Sequence, residues 1–135
     1  MLPPKDFQRP FMEIRKSTIR NAGKGVFATD YLPAGTVMDE YKGKKVSLEE
    51  VDKYHADNDY LFAINNNKGE IIHAVDAEDV QKSNWTRFVN GARTPSQRQK
   101  INVRFQQYGK KMYLETLRDL SPGEEMICDY GPMYW

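Results

Sequence analysis

Asn84-Trp85-Thr86-Arg87-Phe88-Val89-Asn90-Gly91-Ala92-Arg93 is the stretch on which the reading of this chain turns. Trp85, Phe88 and Val89 supply apolar bulk. Asn90 follows directly, with an amide that both donates and accepts hydrogen bonds. An asparagine just after an aromatic and an aliphatic residue is placed at the rim of a core. The same residue also serves to tie down loop backbone, so the segment needs company before it points to chemistry.

Two further segments supply that company. Ala22-Gly23-Lys24-Gly25-Val26-Phe27 sets two glycines around one residue, which lets backbone bend and approach a ligand without side-chain obstruction, or makes a plain turn. Leu120-Ser121-Pro122-Gly123-Glu124-Glu125-Met126-Ile127-Cys128-Asp129-Tyr130-Gly131 carries a turn, two acids, a short apolar strand and a tyrosine before glycine. A tyrosine there is either a core aromatic with a satisfied hydroxyl or a site residue.

Between these segments the pattern is of many short strands and little helix. Pro3, Pro4 and Pro10 mark residues 1–10 as an extended lead-in. Residues 11–135 then read as one domain. Strands are expected from Phe11 to Lys16, Val26 to Ala28, Thr36 to Met38, Tyr60 to Ile64, Ile71 to Val75 and Met126 to Cys128. Ile101 to Gln107 and Lys111 to Thr116 form a hairpin around Gly109. Ser47 with Glu50 three residues on reads as a capping box opening a short helix from Leu48 to about Tyr54.

The bulk numbers narrow the function. The chain has 135 residues, 39% hydrophobic and 29% charged, with net charge +1. That fits one folded domain and argues against broad nucleic-acid binding. Cys128 is the single cysteine, so no internal disulfide and no cysteine-based zinc site can form. The start, MLPPKDFQRP, has no apolar core of a secretory signal, and no apolar run approaches the ~20 residues of a membrane helix. A protein inside the cell is expected.

The three segments, in this order, resemble the SET domain of protein-lysine methyltransferases, in which an early GxG, a central RFxNH and a late GEE…DYG assemble one site. The central stretch is most similar to the PR subtype, where NWxRxVNxAR precedes a QY hairpin, here Gln107-Tyr108. The match runs from about Met12 to Trp135. The resemblance implies a mainly β fold of small curved sheets, with short helices and a knot-like crossing that sets the Asn90 segment beside the Asp129–Gly131 segment. It implies S-adenosylmethionine as methyl donor, held by the backbone of Ala22, Gly23 and Lys24 and by Asn90 and Gly91. It makes Tyr130 the catalytic tyrosine, with Tyr41 of Tyr41-Lys42-Gly43 and Tyr108 near the lysine channel and Tyr60 on the substrate face. No metal is implied.

Departures bear on this reading. Gly91 stands where most SET domains carry histidine, a histidine that the PR subtype also lacks. The usual PxN is replaced by Thr94-Pro95-Ser96 and a polar run to Lys100. His55 and His73 lie far from the motifs and are not expected to substitute. Many SET proteins close the channel with a cysteine-bearing zinc segment, and this sequence has no such cysteines; Tyr134 and Trp135 either pack over the channel instead, with Trp135 on the substrate, or form a frayed end or surface plug. Asp39 to Asp59 holds seven acids against four lysines, a docking strip for a basic peptide such as a histone tail or a solvated surface. The implied activity is protein-lysine N-methylation, in the nucleus if the source is eukaryotic and in the host cell if viral or bacterial. The alternatives are a SET-like module that binds a peptide or protein without catalysis, and a structural domain of a larger regulator.

Overall fold

The computed structural model describes residues 11–54 and 60–129. Among them lie strands β1 (Met12–Lys16), β2 (Lys24–Ala28), β3 (Val37–Glu40), β4 (Lys44–Val46), β5 (Leu61–Asn65), β6 (Ile71–Asp76), β7 (Asn90–Gly91), β8 (Val103–Tyr108), β9 (Lys111–Thr116) and β10 (Ile127–Cys128). Helices α1 (Leu48–Tyr54) and α2 (Pro95–Arg98) are short, and two 3₁₀ turns span Val80–Lys82 and Trp85–Phe88. The strands form four small sheets: β1-β2, β3-β9-β8, β4-β6-β5 and β7-β10. The first three are antiparallel, whereas β7 and β10 run parallel, Asn90 opposite Ile127 and Gly91 opposite Cys128.

β2 is buried along Gly25–Ala28 because it is covered on both edges. β1 pairs along one edge. Along the other, Met126 N–H donates to Val26 (2.8 Å), Ala28 N–H to Glu124 (2.9 Å) and Gly123 N–H to Ala28 (2.7 Å). The late GEE segment is thereby sewn to the early glycine segment, about 100 residues upstream. Asn102, 2% exposed, holds it from behind. Its Nδ2 donates to the Glu125 carbonyl (2.8 Å), and its Oδ1 accepts from Ile127 N–H (2.8 Å).

The main core joins β2, β3, β5, β8 and β9 through Val26, Met38, Tyr41, Phe62, Phe105 and Leu114. Tyr41 stands edge-on to Phe62 (4.8 Å between ring centres) and to Phe105 (5.2 Å). Such pairs add about 1 kcal/mol each beyond simple burial. A smaller cluster of Val46, Val51, Leu61 and Ala74 seats α1 on the β4-β6-β5 sheet. Glu50 N–H donates to Ser47 Oγ (3.2 Å), the expected cap.

Three elements depart from the pattern read in the sequence. The polar run after Arg93 is helix α2: Thr94 and Gln97 form a reciprocal capping box with Pro95 in the first turn. β4 is Lys-Lys-Val, with one apolar residue and no alternation to announce it. Residues Trp85–Phe88, for which the sequence pattern names no element, wind as a 3₁₀ turn capped by Asn84.

His73, opposite Ile64 in the β4-β6-β5 sheet, is 9% exposed. Burial, then the nearby charges of Lys45 and Lys110, hold its imidazole below the usual histidine range. The unfolded chain therefore takes up this proton first as pH falls. Its contribution to stability is full above about pH 6.5 and is lost as pH drops below that value. Thermal unfolding between pH 8 and pH 5 should show this loss, and His73→Phe should flatten it.

Candidate active site

Glu125 organises the side of the site that carries the glycine turn and Asn90. It is 9% exposed and its carboxylate takes four donors. Oε1 accepts from Thr18 N–H (2.9 Å) and Thr18 Oγ1 (2.6 Å). Oε2 accepts from Ser17 Oγ (2.7 Å) and, at 3.4 Å, from Asn90 Nδ2. Asn90 Nδ2 also donates to the Lys24 carbonyl (2.9 Å). The turn between β1 and β2, strand β7 and the GEE segment thus meet at one carboxylate.

Gly25 is glycine because of this meeting. A Cβ there would run into the Glu125 carboxylate and crowd the Asn90 amide. Ala22, Gly23 and Lys24 form the accessible rim of the turn, closed by Ser17 N–H donating to the Gly23 carbonyl (2.8 Å). Asn90 Oδ1 accepts no hydrogen bond from the described residues, which leaves an acceptor beside open backbone. An exposed glycine turn next to a half-buried amide is chemically able to hold a small polar ligand. Five residues named from the sequence, Ala22, Gly23, Lys24, Asn90 and Gly91, are therefore brought to one place.

The aromatic side is built separately. Tyr41 is 2% exposed, and its hydroxyl donates to the Tyr60 carbonyl (3.1 Å). Tyr60 packs its ring under the Arg87 guanidinium, 4.3 Å from the ring centre. Tyr41 and Tyr60 are thus adjacent. Tyr108 is not with them. Side chains alternate along a strand, and Phe105, three positions before Tyr108 on β8, faces Tyr41. Tyr108 lies on the other face, where its hydroxyl donates to Glu115 Oε2 (2.9 Å) and Arg104 Nε pairs with Glu115 Oε1 (2.6 Å). The hydrogen bond to Glu115, then burial, pushes the Tyr108 phenol above its ordinary value.

The central motif serves both sides. Asn84 Nδ2 donates to the Glu40 carbonyl (2.9 Å) and Trp85 Nε1 to Asp39 Oδ2 (3.0 Å), which fix the end of β3 just before Tyr41. Farther along, Asn90 and Gly91 enter the ladder with β10, and Ala92 N–H donates to the Cys128 carbonyl (2.9 Å). Arg98 of α2 pairs with Asp129 (3.0 Å), the residue before Tyr130. Tyr130, Tyr134 and Trp135 lie outside the described residues, as do the lead-in and His55. Of the acidic strip, Asp39 is committed to Trp85 and Glu40 approaches Lys111 at 4.0 Å.

Sequence reading passed over Glu125 and Asn102 as site residues. Glu125 had a signal, its place in the GEE motif; Asn102 had none, since an asparagine before a strand is common. Among the described residues no group of His, Cys, Asp or Glu could hold a metal ion, and no helix is long and apolar enough to cross a membrane.

An antiparallel β-fold with a parallel β7-β10 closure, a glycine turn and a central asparagine gathered on one glutamate define a SET-type domain. The family model described as PR domain zinc finger protein 2, PR domain, matches residues 12–135. The chain belongs to this PR-domain family and is a lysine methyltransferase-like module. Histone-lysine N-methyltransferase set-17 of Caenorhabditis elegans is 30% identical over 121 residues, 90% of this chain and 41% of the relative; the chain thus spans about two fifths of that protein. The methyltransferase domain of human PR domain-containing protein 2 superposes with a TM-score of 0.71 at 26% identity, covering 90% of this chain and 78% of that one. ctPRC2 in an autoinhibited conformation, bound to S-adenosylmethionine, has a TM-score of 0.70 at 22% identity over 91% of this chain and 15% of that one, a likeness of fold.

Proposed function

We propose that the protein is an S-adenosylmethionine-dependent protein-lysine N-methyltransferase acting on histone tails, and hence in the nucleus. The observation that carries this reading is that Ser17 and Thr18, at the start of the β1-β2 turn, and Asn90 meet on Glu125 of the GEE segment, with Asn90 also bonded to the Lys24 carbonyl. S-adenosylmethionine, when bound, supplies a methyl group on a positively charged sulfonium. The backbone of Ala22, Gly23 and Lys24, with Asn90 and Gly91, holds it.

The chain's own task is to present the amine. A free lysine has a pKa near ~10.4 and is mostly protonated at neutral pH. On this reading Tyr41, with the catalytic role that the resemblance gives Tyr130, keeps water from the amine and disfavours the ammonium. Their hydroxyls steer the amine lone pair, and most of the acceleration comes from alignment. Tyr60 and Trp135 contact the substrate. Tyr108, hydrogen-bonded to Glu115 across the sheet from Tyr41, supports this wall from the outer face.

The test has two stages. Calorimetry should show S-adenosylmethionine binding. Mass spectrometry of histones incubated with the donor should show methylated lysine, reduced about a hundredfold by Tyr130→Phe, as misalignment of reacting atoms does. Undiminished methylation by that variant would remove Tyr130 from the reaction.

The second reading is a peptide-binding module without turnover. It draws on Gly91, which offers only backbone where most SET domains have histidine. Donor binding without methylation of any histone peptide would favour it.

A further inference from the structure

Tyr41 is wedged edge-on between Phe62 and Phe105, which fixes its ring. The aim of its hydroxyl then depends on its acceptor, the Tyr60 carbonyl. That carbonyl also accepts Ala77 N–H (3.1 Å), so Ala77 sets where it lies. The Ala77 carbonyl in turn accepts Arg87 Nε (2.8 Å), and Glu78, next in the chain, gives its carbonyl to Arg87 Nη2 (3.1 Å). The same guanidinium covers the Tyr60 ring. One planar group therefore holds Tyr60 twice: by its ring directly, and by its carbonyl through Ala77.

We propose that Arg87 is a positioning residue for the methyl-transfer site, setting the direction of the Tyr41 hydroxyl through Tyr60. The proposal rests on the lysine-methyltransferase reading and deepens it by adding a residue that touches neither amine nor donor. Arginine suits the post because its fork reaches two carbonyls while its face stacks on an aromatic ring; lysine, with one compact ammonium, cannot do all three. The central motif then has a third output besides Asn90 and the β3 anchors. It aims the channel tyrosine.

The test uses the full chain carrying Arg87→Lys, Arg87→Met, Tyr41→Phe and the double change Arg87→Met with Tyr41→Phe. Calorimetry with S-adenosylmethionine and kcat and KM on a histone tail peptide are the readouts. Arg87→Met should lower kcat about tenfold, through misplacement of the hydroxyl, with donor Kd changed less than about twofold. Arg87→Lys should recover less than half of the loss. In the Tyr41→Phe background the Arg87→Met change should cost much less, because the hydroxyl it aims is gone; such non-additivity marks coupled residues. Equal losses in both backgrounds, or unchanged kcat in a folded variant, would overturn the proposal.

A wild type that neither binds donor nor methylates would defeat the enzyme reading alone. Arg87 is then judged by ¹³C–¹H spectra of tyrosine-labelled chain. Arg87→Lys should shift the Tyr60 and Tyr41 ring signals together; a shift confined to Tyr60 would sink the coupling. Arg87→Lys also serves where Arg87→Met does not fold.

Discussion

Glu125→Ala is expected to cost about 3 kcal/mol of folding stability and about tenfold in affinity for S-adenosylmethionine. The stability figure follows from stranding the Thr18 amide and weakening the bonds of Thr18 Oγ1, Ser17 and Asn90 at a site that is 9% exposed; each lost bond to a charged acceptor is worth about 1.5–3 kcal/mol, and hydroxyls at the edge recover part of it from water. In a domain of this size the midpoint of thermal unfolding falls by roughly 10 °C. The affinity loss has a different origin. Without the carboxylate, the hydrogen bond that still ties the Ser17–Gly25 turn to Asn90 among the described residues is the one to the Lys24 carbonyl, and a tenfold change corresponds to about 1.4 kcal/mol. Glu125→Gln separates the two effects. It keeps an acceptor for Thr18 but turns a donor toward Asn90, so stability falls less than affinity. Calorimetry and thermal melts on both variants check this, and equal behaviour of Gln and wild type would show that charge and acceptor count do not matter.

Gly43→Ala is expected to be nearly as damaging, for a steric reason. The added methyl would overlap the Asp76 carbonyl and press on Ala77 N. These are backbone atoms of the β4-β6 ladder, where Lys44 lies opposite Asp76, and they cannot turn aside as a side-chain tip does. Overpacking of this kind costs about 3 kcal/mol. The displacement falls on Tyr41, two residues earlier, and on Ala77, which sets the Tyr60 carbonyl. Turnover should therefore drop more than donor affinity. Chemical denaturation and steady-state kinetics would read this, and a variant of wild-type stability would show that the strand yields freely.

Much of this architecture was legible from residues. β5 and β6 follow from apolar runs on either side of the Asn65–Gly69 turn, and β8 and β9 from two segments that flank the tight loop at Gly109. α1 was marked by Ser47 and Glu50. β4, α2 and the Trp85–Phe88 turn escaped for distinct reasons. Lys45 and Lys44 hide the single apolar anchor of β4. The Thr94 and Gln97 capping box opens a helix with no apolar face, so periodicity says nothing of it. The Trp85 turn is set by Asn84 reaching Glu40 and Trp85 reaching Asp39, contacts across more than 40 residues that no local pattern contains. At the candidate site, the residues of the glycine turn and Asn90 could be gathered because they sit in recognisable segments. Tyr108 could not be placed from its motif alone, since the face it occupies depends on the register of β8 against β9.

The β7-β10 ladder has a consequence for the order in which the molecule becomes competent. It is two residues long on each strand and joins Asn90 to Ile127 across an interval filled by α2 and the β8-β9 hairpin. Hairpins close quickly, whereas a parallel pairing over so long a loop is slow and weakly reinforced by its own bonds. The hairpin core would therefore harden first, and the meeting of Asn90 with the GEE segment would be a late event, easily undone by local opening. On the methyltransferase reading, readiness to hold a donor is then a separate and more fragile property than being folded.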